Sequence, residues 1–375
     1  ARTSSGTTPS RRRAERYFSG GTVPWVKTLD LRNGEIWATD ECVTELAVQE
    51  TSLQVYPPGT VLVAMYGGFN QIGRTGLLRI SACVNQALSA VQVNRNRVVP
   101  EYLLAVLNFR VEHWKAVASS SRKDPNITGN DVRAFELALP PVEEQRSIAA
   151  ALADVDALLA KLDQLISKKR DLTQAAMQQL LTGRRRLSGV EGPWTTARIG
   201  ELADVDPTTL PAGRTPGFAF NYISLEDVDR GSLNGWSEQT FATAPSRARR
   251  LLRPQDVLVS TVRPNLQSHL LFAGGHGDWV CSTGFAVLRA KPGRASPRFL
   301  FECLFSSVVT RQIEAMLTGS NYPAINSGDV RRLVVPAPEY DEQAAIASVL
   351  ADMGAEITAL EARRDKTRQL KQGMM

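Results

Sequence analysis

One stretch of this chain occurs twice. Residues 125–177 align with residues 323–375 without a gap at a constant offset of 198, and 20 of the 53 aligned positions are identical. The identities include a Glu-Gln pair, found at 144–145 and again at 342–343. Such self-similarity indicates an internal duplication, so the fold must be built from two related copies.

Upstream of each repeated stretch the similarity continues more weakly. PPGTVLVAM at 57–65 faces RPQDVLVST at 253–261. Residues 1–140 and 188–336 are rich in short β-type runs broken by Gly, Pro and Asn, which is typical of strands joined by turns. We therefore predict an α+β protein with two α/β domains that have diverged in sequence, here called the first head and the second head.

A long helix is predicted after each head, in residues 141–187 and 337–375. In both segments apolar residues recur at alternating steps of three and four, a pattern typical of a coiled-coil seam. The seam positions are Ile148, Leu152, Val155, Leu159 and Leu162 in the first helix and Ile346, Leu350, Met353, Ile357 and Leu360 in the second.

The seam favours an antiparallel coiled coil that carries the heads at opposite ends as a pseudo-two-fold repeat. The alternative is two amphipathic helices that lie on separate cores. A first helix from about residue 143 to 181 would be roughly 58 Å long, which suits it to set the distance between the heads.

The chain is basic and rich in arginine. Its net charge is +6, and 35 of its 44 basic residues are arginine. The planar guanidinium suits phosphates and guanine edges, although a GC-rich genome would produce the same bias. We find no apolar run long enough for a membrane span and no signal peptide. The four cysteines are scattered, which favours a reducing cytoplasm.

No catalytic motif is recognisable. The chain has neither a G-x-x-x-x-G-K-[ST] phosphate loop nor the N-P-P-[YF] or D-P-P-[YF] tetrapeptide of a base methyltransferase. Its three histidines are widely separated, which argues against a metal triad. The sequence therefore predicts a binding protein without a catalytic centre or metal site of its own.

Two loops that follow aligned strands are the candidates for reading DNA bases. Base readout requires forked or amide side chains, and these loops are rich in them. The candidates are Tyr66, Asn70, Gln71 and Arg74 in the first head and Arg263, Asn265, Gln267 and His269 in the second. The two sets of side chains differ, as expected if the two heads contact different base sequences.

Arginine clusters are the candidates for phosphate contacts, which set affinity and register. They are Arg11, Arg12 and Arg13 in the first head and Arg247, Arg249 and Arg250 in the second. Solvated surface patches remain the alternative. The loops at 121–126 and 320–322 could offer backbone N–H groups to phosphate or simply be turns, and Arg184, Arg185 and Arg186 could meet DNA, a partner or a helix dipole.

Several sequence motifs of the chain are similar to those of one family, the DNA-specificity subunits of type I restriction–modification enzymes. They are PPVEEQRSIAAALADVDALL, ISKKRDLTQAAMQQLLTGRRRL, PEYDEQAAIASVLAD and the paired loops PNITGNDVR and PAINSGDVR. The order head–helix–head–helix extends the resemblance over essentially the whole chain. Two departures are the early position of SSGTTPSR and the stop at KQGMM, so we expect a truncated second spacer helix.

The resemblance implies that each head is a target-recognition domain for half of a split, asymmetric site in double-stranded DNA. It implies that the helices space the heads and dock two methyltransferase subunits, and that nuclease–translocase subunits join this core. S-adenosylmethionine, ATP and Mg²⁺ would belong to those partners, with no cofactor on this chain. The alternatives are a coiled-coil adaptor that binds only proteins, or an inactive or solitary remnant of a specificity subunit.

Overall fold

The computed structural model describes residues 1–119, 126–189, 192–317 and 323–375. The chain divides into two compact units, Ala1–Leu162 with Arg363–Met375, and Asp163–Ala362. Each unit is α+β, as predicted, and contains one head together with parts of both long helices. The boundaries of the units therefore fall inside the helices rather than at the predicted ends of the heads.

Within its described residues, the first head has eight short strands and five short helices. The strands are β1 (Arg2–Ser5), β2 (Val23–Val26), β3 (Gly34–Ile36), β4 (Cys42–Val43), β5 (Val61–Ala64), β6 (Thr75–Leu78), β7 (Cys83–Val84) and β8 (Leu88–Gln92). The helices are α1 (Ala14–Tyr17), α2 (Glu45–Glu50), α3 (Pro100–Phe109), α4 (Val111–Ser119) and α5 (Gly129–Ala134). The long helix α6 (Val142–Leu180) follows, as predicted for about residues 143–181.

The second head has the same plan with more strands. The strands are β9 (Thr195–Arg198), β10 (Ala203–Val205), β11 (Ala219–Ile223), β12 (Val228–Asp229), β13 (Ser232–Leu233), β14 (Ser237–Thr240), β15 (Ala248–Leu251), β16 (Val257–Ser260), β17 (Leu270–Leu271), β18 (Trp279–Ser282), β19 (Phe285–Ala290) and β20 (Val334–Ala337). The helices are α7 (Ile199–Leu202), α8 (Pro297–Leu304), α9 (Ser307–Met316), α10 (Ser327–Arg332) and the long α11 (Tyr340–Met374).

Corresponding sheets in the two heads share their strand order. The first head pairs its strands in the order β1-β8-β5-β6-β3, and the second head in the order β10-β19-β16-β17. The middle strands β5 and β16 are buried at every position and apolar except for Ser260 at the end of β16, as expected for strands covered on both faces. A second sheet in each head contains one parallel pair, β2 with β7 and β11 with β18. The heads are thus two versions of one domain.

The repeated glutamine fastens the first head to its long helix. Gln145 lies in the first turn of α6 and is wholly buried. Its Oε1 accepts a hydrogen bond from the N–H of Val99, at 2.9 Å, and its Nε2 donates to the carbonyls of Arg97 and Pro140, at 2.9 and 2.8 Å. Because Val99 is the N-cap of α3, the amide joins the start of a head helix to the start of α6.

Gln343 makes the same three contacts in the second head. Its Oε1 accepts from the N–H of Ser296 at 3.0 Å, and its Nε2 donates to the carbonyls of Arg294 and Pro338 at 3.1 and 2.9 Å. Ser296 is the N-cap of α8, the counterpart of α3. The amides of Gln145 and Gln343 will be called the glutamine clamps.

The two long helices contact each other within the second unit. Lys169 of α6 forms an ion pair with Glu356 of α11 at 2.7 Å. Further along α6, Leu180 shares a buried cluster with Ile346 near the start of α11. As α6 advances, its contacts in α11 therefore move backwards, so the helices run antiparallel in this unit. In the first unit, Asp156 of α6 pairs with Lys371 of α11.

All ten predicted seam positions are buried or partly buried. Leu152, Leu162, Ile346 and Leu350 are buried, and the other six are partly covered. Ile346 and Leu350 also belong to the main core of the second head, so the seam and the head core merge at this end. Towards the end of α11 the seven-residue pattern continues with polar residues, of which Thr367 is buried.

We expect Gln343→Ala to lower the free energy of unfolding by about 2–4 kcal/mol, because the change leaves a buried N–H and two buried carbonyls without partners. Urea unfolding of the whole chain, followed by circular dichroism, measures the change. Gln174→Ala, at an exposed position of α6, is the matched control and should change stability by less than about 0.5 kcal/mol. Equal effects of the two substitutions would contradict the importance of the clamp.

Candidate nucleic-acid interface

The two predicted base-reading loops occupy the same place in the two heads. Residues 65–74 connect β5 to β6, and residues 261–269 connect β16 to β17. The first residue of each loop is held in the same way: the N–H of Met65 donates to the Ala87 carbonyl and that of Thr261 to the Gly284 carbonyl, both at 2.8 Å. The prediction that these loops are equivalent is confirmed.

The first loop turns on glycines and presents aromatic rings. Gly67 and Gly68 have φ angles of 120° and 80°, a region that side chains with a Cβ rarely adopt. The turn leaves Tyr66 and Phe69 about half exposed, at 44% and 49%, and Asn70 exposed. An exposed amide in the same loop as two exposed aromatic rings is a suitable combination for contacting bases and sugars.

Arg74 and Gln71 are less exposed than the other predicted residues of the first loop. Both are only partly exposed, and the Nε of Arg74 donates to the backbone carbonyl of Asn70 at 3.0 Å. Arg74 therefore braces the loop that presents Asn70. Their role in base contact stays a prediction, with Asn70 and Tyr66 the more accessible of the predicted residues.

The second loop makes its turn with non-glycine residues in strained backbone conformations, where the first loop uses glycines. Arg263 and Gln267 adopt left-handed conformations, with φ of 48° and 56°, on either side of a 3-10 turn at Pro264–Leu266. Such conformations cost of order 1–3 kcal/mol per residue and concentrate at functional sites. The N–H of Arg263 donates to the Pro323 carbonyl at 2.8 Å. The strained turn leaves Arg263 and Asn265 exposed.

The side-chain amide of Gln267 forms hydrogen bonds within the head. Its Oε1 accepts from Arg230 at 2.7 Å, and its Nε2 donates to the Thr310 hydroxyl at 3.3 Å. The residue therefore ties the second loop to neighbouring elements. Contact with a base would require it to exchange these partners.

His269 does not fit its predicted role as a base-reading residue. The side chain is wholly buried, packs edge-on against Phe305, and accepts a hydrogen bond at Nδ1 from the N–H of Ser260 at 3.1 Å. Its Nε2 has no hydrogen-bond partner among the described residues. Burial lowers the pKa of His269 to about 4. The histidine is a neutral core residue beneath the loop.

The arginine cluster of the first head is partly neutralised. The Nη2 of Arg11 donates to Glu41 at 2.9 Å, and its guanidinium lies 4.1 Å from the ring centre of Phe18. Hydrogen bonds from Arg11, reinforced by Lys27, lower the pKa of Glu41 to about 2. Arg13 donates to the Tyr17 hydroxyl at 3.3 Å.

Arg12 is different from its two neighbours. It is exposed and makes no ion pair within the described part of the chain. Of the three clustered arginines, it is the one best placed for phosphate.

The arginine cluster of the second head also contains both exposed and paired members. Arg247 is exposed, and Arg249 lies 5.3 Å from the ring centre of Phe241. Arg250 is in β15 and forms an ion pair with Asp206 at 2.8 Å, with a side chain that is only 20% exposed. Arg250 therefore does not fit the predicted phosphate contact, because its charge is already paired inside the head.

Arg186, a candidate for contact with DNA, a partner or a helix dipole, is paired with a carboxylate of the chain itself. Its Nε and Nη2 donate to the two carboxylate oxygens of Glu342, at 3.0 and 2.7 Å, and Glu342 is almost completely buried. This forked ion pair fixes the segment after α6 to the first turn of α11. The predicted loop residues 121–125 and 320–322 lie outside the described residues.

Among the described residues, no group of three or more His, Cys, Asp or Glu side chains is arranged to hold a metal ion. In the same part of the chain, no helix is both long enough and apolar enough to cross a membrane.

The apolar residues at the tips of the loops were not predicted from the sequence. Phe69 and Leu266 are exposed, at 49% and 55%, and each lies among the polar candidates of its own loop. A large apolar residue within a run of Gly, Asn and Gln is a usable signal, because such a residue has no obvious core to fill.

His269 predicts a pH dependence of stability. In the unfolded chain a histidine takes up a proton near pH 6.5, whereas His269 stays neutral in the fold down to about pH 4. Its contribution is therefore complete above pH 6.5 and is lost as the pH falls towards 4, with a slope of up to about 1.4 kcal/mol per pH unit.

Urea unfolding at pH 7, 5.5 and 4.5 checks this expectation. His269→Asn, which keeps an acceptor for Ser260, should flatten the decrease between pH 6.5 and 4.5. His276→Asn, at an exposed loop position, should leave the profile unchanged. A profile of His269→Asn identical to that of the parent chain would rule out His269 as the source.

Comparison with known proteins agrees with this architecture. The sequence profile of the type I restriction modification DNA specificity domain matches residues 3–168 and again 191–371. The MjaIX specificity subunit of Methanocaldococcus jannaschii is 31% identical over 159 residues, 41% of this chain and 35% of that subunit. The MjaVIII subunit of the same organism is 20% identical over 384 residues, 95% of this chain and 84% of the relative.

In the alignments with the MjaIX, MjaX and EcoR124I/EcoR124II subunits, the chain spans 35%, 63% and 42% of the relatives' length. Two solved structures share the fold over 100% of this chain. They are the HsdS subunit from Thermoanaerobacter tengcongensis, with a TM-score of 0.51, 20% identity and 95% of that chain covered, and the S subunit from M. genitalium, with a TM-score of 0.59, 12% identity and 92% covered. Because the profile matches once for each head, and each match extends into the long helix that follows, the chain belongs to the type I restriction–modification DNA specificity family.

Proposed function

We propose that this chain is the DNA-reading subunit of a type I restriction–modification complex, and that each head reads one half of a bipartite, asymmetric site in double-stranded DNA. The observation that carries the proposal is the pair of equivalent loops after β5 and β16. They stand at the same place in two copies of one domain and expose different side chains. Equal placement with unequal chemistry is what two dissimilar half-sites require.

The exposed side chains of the two loops suit direct readout. An asparagine amide can bond the N6 and N7 atoms of adenine, and an arginine can bond O6 and N7 of guanine. Asn70 would act in the first head, and Arg263 with Asn265 in the second. Phe69 and Leu266 would add apolar contact in the groove, while Arg12 and Arg247 would supply phosphate contacts.

The long helices would form an antiparallel coiled coil that spaces the heads as a pseudo-two-fold repeat. Three observations support this: the covered seam positions, the Lys169–Glu356 and Asp156–Lys371 ion pairs, and the merging of α6 with α11 in one apolar cluster. A helix of 39 residues is roughly 58 Å long, enough to separate two half-sites by more than one turn of DNA, about 34–36 Å.

The outer faces of α6 and α11 are the surface on which we place two methyltransferase subunits, with nuclease–translocase subunits joining that core. A chain of similar fold belongs to a structure described as showing complex assembly of the type I restriction–modification system. The chain itself would perform no catalysis. S-adenosylmethionine, ATP and Mg²⁺ would be bound by the partners.

Replacing one asparagine in each head tests the assignment of the half-sites. We expect Asn70→Ala to relax the sequence preference in one half-site, and Asn265→Ala in the other, each at a cost of about 1–3 kcal/mol for the preferred base. The measurement is selection of bound duplexes from a random DNA pool, with each variant co-purified with its methyltransferase subunit.

Asn96→Ala, at an exposed position outside both loops, is the control and should select the parental motif. A parental motif without two separated half-sites would overturn the two-head reading. Recovery of no motif from an intact complex would support a protein-binding adaptor or an inactive remnant instead.

Arg12 and Arg11 offer a matched test of phosphate contact. Arg12→Ala should weaken binding to all sequences and reduce the slope of log affinity against log salt by about 1. Arg11→Ala should have a smaller effect, because Glu41 already neutralises that guanidinium. The measurement is fluorescence anisotropy with a cognate duplex at salt concentrations from about 50 to about 200 mM. The slope of log affinity against log salt is then compared between the two variants. A larger slope change for Arg11→Ala would contradict this assignment.

A further inference from the structure

A two-residue turn of the second head supports the end of its base-reading loop. The strands β12 and β13 pair antiparallel with Asp229 opposite Ser232, so Arg230 and Gly231 alone connect them. Both connecting residues are left-handed, with φ of 40° and 93°. Positive φ at both positions of a two-residue hairpin is typical of a type I′ turn. The backbone of this hairpin turn is therefore confined to a narrow range of conformations.

The hairpin turn contacts the base-reading loop at two points near the end of the loop. The N–H of Gly231 donates to the carbonyl of His269 at 2.9 Å, and the Nη2 of Arg230 donates to the Oε1 of Gln267 at 2.7 Å. Gln267 directly follows the 3-10 turn of the loop, and that turn exposes Asn265. The hairpin turn thus holds the loop next to its exposed residues.

The hairpin turn is itself packed against the head. A Cβ atom at Gly231 would lie 3.1 Å from the ring of Phe301, a residue of α8 that is only 9% exposed, so this close approach requires glycine. A further contact comes from α9, whose Thr310 hydroxyl accepts a hydrogen bond from the Nε2 of Gln267 at 3.3 Å. The amide of Gln267 is therefore held by Arg230 at one atom and by Thr310 at the other.

Arginine is an unusual residue for the first position of such a turn. Glycine and asparagine adopt left-handed backbone readily, whereas other residues do so at a cost in free energy, and Asn-Gly is a favoured pair for a type I′ turn. At an offset of 197, RNGEI at 32–36 faces DRGSL at 229–233, so the first head has Asn-Gly where the second has Arg230 and Gly231. The contact of Arg230 with Gln267 offsets this backbone cost.

The equivalent turn of the first head supports the other base-reading loop. Asn33 is left-handed, with φ of 59°. Its N–H donates to the carbonyl of Thr75, and its Oδ1 accepts from the N–H of Thr75, both at 3.0 Å. Thr75 begins β6 directly after the loop, and its hydroxyl is hydrogen-bonded to Asn108 of α3. Corresponding turns therefore support both loops, each through a different side chain.

We propose that Arg230 is a positioning residue for base recognition in the second head. Its hydrogen bond to Gln267 holds the 3-10 turn in the conformation that presents Arg263 and Asn265 to the bases, and Arg230 itself does not contact DNA. Asn33 has the same role in the first head. This inference rests on the proposed function and extends it to residues outside the two base-reading loops.

Arg230→Asn tests this role, because it introduces the favoured Asn-Gly pair while removing the contact with Gln267. In the complex with the methyltransferase subunit, we expect binding of the cognate duplex to weaken by about fivefold or more. Selection from a random DNA pool should show a relaxed preference only in the half-site that Asn265→Ala also affects.

Two further measurements on Arg230→Asn separate positioning from other roles. The slope of log affinity against log salt, measured by fluorescence anisotropy, should not change, whereas loss of a phosphate contact would reduce it by about 1. The midpoint of urea unfolding of the chain should not fall, because asparagine tolerates the left-handed backbone better than arginine does.

Two other variants complete the test. Arg294→Asn, at an exposed position of the same head, removes the same charge and should bind like the parent chain. Because Arg230 acts through Gln267, the double variant Arg230→Asn/Gln267→Ala should bind no more weakly than Gln267→Ala alone. Additive losses, a reduced salt slope, a lower unfolding midpoint or an unchanged motif would each overturn this inference while the parental motif stands. A parent complex that selects no split motif would overturn the proposed function, and this inference with it.

Discussion

The glutamine clamps are the contacts on which the rest of each unit depends. A buried amide without partners is strongly destabilising, and each clamp avoids this only when three separate segments meet: the turn before a head helix, the proline before the long helix, and the long helix itself. The direction in which α6 or α11 leaves its head is therefore fixed by hydrogen bonds, whereas apolar packing alone would tolerate small rotations. A long helix can keep one direction relative to its head only if the joint between them is this well defined.

The loops that follow β5 and β16 are held in their conformations by different contacts. In the first head, glycines allow the turn and Arg74 braces it from below. In the second head, left-handed Arg263 and Gln267 are held by Pro323, Arg230 and Thr310. In both heads, the loop with the exposed polar side chains directly follows a fully buried middle strand. A rigid support for a variable loop is the usual arrangement of binding sites, and it explains how the heads diverged without losing their common plan.

The sequence was sufficient for the features that depend on local pattern. The offset of 198 predicted the duplication, the steps of three and four predicted both long helices, and the aligned VLV runs predicted the equivalent loops. It was insufficient where distant residues decide the environment. His269 is a polar residue of the predicted loop, but its side chain is buried in the core. Arg250 forms an ion pair with Asp206, and Arg186 forms one with Glu342. Partners separated by 44 and 156 positions leave no local signature, so an exposed arginine and a paired one look alike until the fold is known.

The chemistry of the clamps has an evolutionary consequence. Each glutamine bonds only to main-chain atoms of its head, an N–H and two carbonyls, and every head sequence supplies those groups. The joint therefore places almost no demand on which side chains the head carries. A recombination event that exchanged one head for another of the same plan would therefore keep the joint intact while changing the loops that the head exposes.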